Sequence, residues 1–189
     1  MSIDNVNLTH QFLVAMPELD DPRFQRAVIY VFRHNPEGAA GLVINQPSEL
    51  PFDQLLHDIR LPPLKPLQRP DQPVLHGGPV HPELGFVLHQ GQGPWTSTLQ
   101  SSDNIGITHS RDILDAISQG HGPSDFLVSL GYAGWEPGQL EEELAANVWL
   151  TVPASDDVLF HLPYEARWEA SMKHLGLDWH HLSHEVGHA

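Results

Sequence analysis

The segment His184-Glu185-Val186-Gly187-His188 reads H-E-x-x-H. On a helix that spacing puts two imidazoles on one face to hold Zn²⁺, with the glutamate as general base. Three features argue for a plainer reading. Gly187 inside the motif costs the required helix about 1 kcal/mol relative to alanine. The sequence given runs one residue further, so no third downstream ligand is expected. The stretch from His174 to His188 also carries five histidines, which makes a chance match easy. His180, His184 and His188 are therefore kept only as a candidate tail site for loose metal binding, and no cofactor is expected.

His76-Gly77-Gly78-Pro79 looks like the oxyanion loop of α/β-hydrolases. That loop works only beside a nucleophile elbow, G-x-S-x-G, which the sequence lacks. A tight turn between two strands accounts for it better. There is no Walker A motif, no G-x-G-x-x-G after a strand, and no cysteine to act as nucleophile or thiolate ligand. Fourteen histidines make every serine a nominal partner, so a Ser–His–Asp set has no distinguishing signal.

The densest unusual segment runs Gly131-Tyr132-Ala133-Gly134-Trp135-Glu136-Pro137-Gly138-Gln139-Leu140. A strand entering a glycine-bearing loop and then a helix can cradle an anion. Here Glu141, Glu142 and Glu143 fill the first turn, complement the helix dipole and repel a phosphate. Two readings stay open. One is a structural strand–helix corner anchored by Trp135. The other is a pocket for a neutral or cationic group lined by Trp135 and Gln139, with Asn45 and His89 completing one cleft.

The elements that would position these residues are short. Gln11–Met16, Gln25–Arg33 and Gly41–Asn45 read as strands, the last two joined through the turn Asn35-Pro36-Glu37-Gly38. Apolar residues at 52, 55, 56 and 59 predict a short amphipathic helix after Pro51. Val74–His76 and Gly85–His89 flank the glycine turn. Thr108 or Ser110 caps a helix with Ile113, Leu114 and Ile117 on its core face, ended by Gly120. Phe126–Tyr132 predicts a buried strand, Gly138–Asn147 a helix, and Val148–Val152 and Val158–Leu162 strands. A last helix opens at Pro163 and packs Trp168, Met172 and Leu175. Prolines at 62, 63, 66, 70 and 73 make Leu61–Pro73 a surface loop within one domain spanning 1–189. Strands interleaved with short helices predict an α+β (mixed α/β) fold built on one mixed sheet.

Charge excludes some partners. The net charge is −15, and residues 71–189 hold three basic against sixteen acidic side chains. Gripping a polyphosphate needs clustered Lys and Arg, whereas the nine here are scattered singly. No direct nucleic-acid binding and no membrane partner is therefore expected. The apolar runs are far shorter than the roughly 20 residues that cross a bilayer, and a cytosolic location is expected by elimination.

Taken in order, several segments resemble a known family: Phe12-Leu13-Val14-Ala15-Met16-Pro17, Gly41-Leu42-Val43-Ile44-Asn45, Gly77-Gly78-Pro79-Val80, Leu130-Gly131-Tyr132-Ala133-Gly134-Trp135 with Gly138-Gln139-Leu140-Glu141, and Gly187-His188-Ala189. From residue 8 onward the chain resembles the AlgH/YqgE family of bacterial proteins. The resemblance implies a split mixed sheet curled into a pseudo-barrel with flanking helices. It also implies a bacterial cytosolic protein described as a transcriptional regulator through alginate control, without established catalytic residues or cofactor. The expected function is a regulatory or adaptor role through a protein partner or small ligand, indirect where transcription is concerned. The alternative is an enzyme or small-ligand binder using the corner at 130–141.

Overall fold

A computed structural model describes residues 6–177. Among the described residues, ten strands are interspersed with four α-helices. Strands β1 (Gln11–Ala15), β2 (Val28–Asn35) and β3 (Gly38–Val43) come first, then β4 (Pro47–Pro51), helix α1 (Phe52–Asp58) and β5 (Pro73–His76). Next are β6 (Val80–Gln90), β7 (Thr98–Gln100), β8 (Ile105–Thr108), α2 (Arg111–Ser118) and β9 (Phe126–Trp135). Helix α3 (Gln139–Ala145), β10 (Trp149–Pro153) and α4 (Arg167–His174) complete the order.

The main path through the sheet is β10-β1-β2-β3-β9-β6-β8-β7, antiparallel at every step. Strand β5 adds a parallel pairing to β9 and joins β4, which makes the sheet mixed. The sheet curls into a half-barrel, as the α+β reading and the family resemblance imply. It splits at β9. Gly134 and Trp135 pair with β3, while the stretch from Phe126 to Leu130 pairs with β6 and β5. Gly131 sits between the two halves with φ of +75°, a conformation that costs any residue bearing a Cβ about 1–2 kcal/mol.

The glycine turn fills this split. The Gly77 N–H donates to Leu130 O at 2.9 Å, and Gly77 O accepts from the Val43 N–H at 2.9 Å. A methyl group at 77 would run into Ser129 Oγ and the Gly131 carbonyl. The pair of glycines that superficially suggests an oxyanion loop is a spacer between β3 and β9.

Burial explains why the first strands read as unbroken apolar runs. Side chains alternate across a strand with period two, and both faces of this sheet are covered. Phe12, Val14, Val28 and Tyr30 belong to one core with Trp168 and Met172 of α4. Leu13, Ala15, Ile29 and Val31 belong to a second with Trp135, Leu140 and Trp149. A third core packs Phe52 and Leu56 of α1 and Ile113 and Ile117 of α2 against β5, β6 and β9.

Two expectations are corrected. Val158–Leu162 is not a strand: Asp157–His161 forms a π-helical turn, with the Leu162 N–H donating to Asp157 O at 2.8 Å. Three consecutive side chains, Val158, Leu159 and Phe160, are buried in that turn. The last helix opens at Pro163 as expected, through a 3-10 turn at Tyr164–Ala166 that becomes α-helical at Arg167. Leu175, expected to pack, is 37% exposed because it lies past the helix end, at the C-cap position. No helix among the described residues is long and apolar enough to cross a membrane.

Candidate functional site

The corner after β9 is held by its own side chains. The strand ends on Trp135, and Glu136-Pro137-Gly138 turn the chain into α3, with Gly138 at φ +79°. Gln139 latches the turn both ways: its N–H donates to Glu136 O at 3.0 Å, and its Oε1 accepts from the Glu136 N–H at 2.9 Å. One helical turn on, Glu143 faces the same side, and Gln139 Nε2 donates to its Oε1 at 3.2 Å.

Glu143 is the hub. Its Oε2 accepts from Trp135 Nε1 at 2.7 Å and from Trp149 Nε1 at 2.8 Å. A buried indole must place its N–H somewhere, and here two indoles share one carboxylate. Their rings meet edge to face at 6.3 Å, and Phe24 meets Trp149 edge to face at 5.8 Å. On the other side of the helix, His34 and Glu141 Oε1 lie 2.6 Å apart, tying α3 to β2.

A cleft of about 280 Å³ opens over this corner. Trp135, Gln139, Glu143, Phe24 and Trp149 line it, with Asp21 and Arg23 at its edge. Arg23 donates to Asp21 through Nε at 3.1 Å and through Nη2 at 2.8 Å, and this pairing holds the Asp21 carboxyl below its ordinary range. With Arg23 matched to Asp21, the net charge facing the cleft comes from Glu143. The arrangement can accept hydrogen bonds from a neutral or cationic group and flank it with aromatic rings.

Of the four residues expected to meet, the structure brings together Trp135 and Gln139. Asn45 does not line the cleft. Its Oδ1 accepts from the Val28 N–H at 2.9 Å and its Nδ2 donates to Arg26 O at 2.8 Å, so it clamps the base of the loop carrying Arg23 and Phe24. Its neighbour Gln46 donates to Arg23 O at 3.0 Å and reinforces the same loop.

His89 lies elsewhere, fully buried between β6, β8 and Trp95. Its Nε2 is 2.8 Å from Thr108 Oγ1, which is 2.7 Å from Thr98 Oγ1, which in turn donates to Trp95 O. Running donors down that chain makes His89 a neutral Nε2–H tautomer. Its Nδ1 is buried without a hydrogen-bond partner. Burial pushes its pKa below the ordinary value. This is a polar ladder across three strands, not a wall of the cleft.

Glu143, Trp149, Phe24 and the Asp21–Arg23 pair were not among the residues expected from sequence to line the pocket. Only Glu143 left a signal, since it lies four residues after Gln139 on a helix. Among the described residues no group of three or more His, Asp or Glu could hold a metal ion. His180, His184 and His188 lie outside them.

Comparison with known proteins matches residues 12–180 to the family model described as AlgH-like. A UPF0301 protein of Nitrosococcus oceani is 50% identical over 180 residues, covering 95% of this chain and 96% of its own. One of Chromobacterium violaceum is 48% identical over 187 residues, covering 99% and 100%. The solution structure of AlgH from Pseudomonas aeruginosa superposes with a TM-score of 0.79 at 44% identity, covering 98% and 97% of the two chains. A protein of Corynebacterium diphtheriae shares the fold at a TM-score of 0.71 and 19% identity, over 89% and 87%. The chain belongs to the AlgH-like family.

Proposed function

We propose that this protein is a cytosolic regulatory adaptor that responds to a small neutral or cationic ligand at the corner between β9 and α3, and that any influence on transcription is indirect. The observation that carries the ligand reading is Glu143, a carboxylate fixed by two indole N–H groups in the wall of an aromatic cleft. Both carboxylates of the lining are already engaged, Asp21 by Arg23 and Glu143 by the indoles, which suits recognition better than proton transfer.

The disposition of basic residues supports an indirect role. Arg167 is buried in the core, Arg26 lies over the Trp168 ring, and Arg23 is paired with Asp21. Arg111 donates to Ile59 O. That leaves five of the nine cations, Arg33, Arg60, Lys65, Arg69 and Lys173, a small number to displace counterions from a duplex.

The test is an NMR titration that follows the Trp135 and Trp149 indole N–H resonances. Methylguanidinium should shift both saturably, methylurea should do so more weakly, and methylphosphate should not. Methylphosphate shifting the indoles as strongly as methylguanidinium would refute the ligand reading. In a parallel anisotropy titration at low salt, nanomolar affinity for duplex DNA would refute the indirect role.

A further inference from the structure

A second cavity, of about 320 Å³, lies between the proline-rich segment, α2 and the start of β9, and shares no lining residue with the corner cleft. Its floor is apolar: Phe52, Ile117 and Phe126, with the two phenyl rings edge to face at 5.4 Å. Its rim carries Lys65 and Arg69, and the amides of Gln68 and Gln72.

The charge balance of this cavity is the reverse of the chain's. Acidic residues outnumber basic ones 24 to 9 overall, yet among the described residues lining the cavity Lys65 and Arg69 are basic and none is acidic. Two neighbouring carboxylates are turned to other partners. Asp125 Oδ2 faces His161 at 3.2 Å, and Asp115 Oδ1 accepts from Gln119 at 3.1 Å.

Among the described residues the Lys65 ammonium has no hydrogen-bond or ion-pair partner, and the Arg69 guanidinium makes a single 3.4 Å hydrogen bond, to Phe160 O. Behind the rim, Arg167 is buried against carbonyl oxygens and the Tyr164 ring. Its pKa is brought down to about 10, first by burial and further by the charge of Arg69.

The cavity is also preformed. Five prolines stiffen the segment. The Phe52 N–H donates to Gln72 O at 2.8 Å, the Asp53 N–H to Pro70 O at 3.0 Å, and the Leu64 N–H to Ser118 O at 2.8 Å. Gln72 Nε2 donates to Phe126 O at 2.9 Å and fixes one wall. A preformed concave site with an apolar floor and a few convergent polar groups is the form that small-ligand sites take, and this volume falls at the small end of their range of about 300–1,000 Å³.

We propose that this cavity binds a small organic anion with a flat apolar body, an aromatic carboxylate, its ring on Phe52, Ile117 and Phe126 and its charge between Lys65 and Arg69. The two cations supply the attraction, and the guanidinium can accept the carboxylate side-on through two N–H groups. The apolar floor selects against bare inorganic anions, which bring nothing to bury there.

The test uses benzoate, its neutral analogue benzamide, and inorganic phosphate in amide NMR titrations of the full chain. Benzoate should shift resonances of residues 67–72 and 120–126 saturably. Benzamide and phosphate should each bind about tenfold more weakly or worse, the size of effect that loss of a charge-assisted hydrogen bond produces. Lys65→Gln and Arg69→Gln together should weaken benzoate by about tenfold or more and leave benzamide unchanged. Both positions are solvent-exposed, so the double variant should melt with the parent. Equal affinity for benzoate and benzamide, shifts mapping elsewhere, indifference to the double substitution, or no saturable benzoate binding would each overturn the proposal. None of these outcomes bears on the corner cleft.

Discussion

Replacing Glu143 tests the hub of the corner directly. In Glu143→Ala, the indole N–H groups of Trp135 and Trp149 both lose their acceptor. Trp135 is 8% and Trp149 4% exposed, so water reaches them poorly. A hydrogen bond to a charged group contributes about 1.5–3 kcal/mol, and an orphaned buried donor costs about 1–3 kcal/mol. Because the carboxylate itself opens onto a cleft, part of each loss is recovered by solvent, and about 2–4 kcal/mol is expected for the pair. For a domain of this length that lowers Tm by roughly 4–16 °C. Glu143→Gln keeps one carbonyl oxygen able to accept from both indoles, and should cost about 1 kcal/mol. Urea unfolding followed by far-ultraviolet circular dichroism reads the change without relying on the tryptophans being perturbed. A cycle with Trp149→Phe should give a coupling of about 1 kcal/mol or more between the two positions. If Glu143→Ala unfolds within about 0.5 kcal/mol of the parent, the carboxylate is not holding the corner together.

Two glycines separate close approach from backbone conformation. Gly77→Ala puts a methyl against the Ser129 hydroxyl and the Gly131 carbonyl and should cost about 3 kcal/mol or more, whereas Gly138→Ala has open space and only its φ of +79° to contend with, at about 1–2 kcal/mol. Equal urea midpoints for the two variants would contradict the spacer role of Gly77. Stability should also fall on mild acidification. Burial lowers the pKa of both His10 and His89 below 6.5, so the unfolded chain binds more protons; their contribution is complete above about 6.5 and is lost as pH falls through the folded values. His161, raised by hydrogen bonds to Asp157 and Asp125, acts in the opposite sense, its contribution fading as pH climbs above 6.5. Urea midpoints measured from about pH 8 to pH 5 should decline at the acid end, with a shallower slope in His89→Gln; an unchanged slope would remove His89 from the account.

Patterns confined to one stretch of chain carried a good deal of the fold. The apolar spacing at 52, 55, 56 and 59 anticipated α1, and Gly120 closed α2 near its observed end. The strand–turn–helix of the corner was legible too, because Trp135, Pro137 and Gly138 act on their immediate neighbours. The π-helical turn at Asp157–His161 was not. A run of Val158, Leu159 and Phe160 has the composition of a strand, and only the surface it packs on requires three consecutive side chains to be buried.

The same division runs through the two candidate sites. Sequence alone determined that the chain is acidic, lacks thiols, and places Gln139 one helical turn before Glu143. It could not place Phe24 and Trp149 beside Trp135, or remove His89 to a ladder between β6 and β8, because strand order decides those distances. Nor could it show that Lys65 and Arg69 share a cavity with Phe52 and Phe126. Charge and side-chain period are properties of short windows, whereas a cleft is made by segments brought together when β9 pairs with β3, β5 and β6 at once.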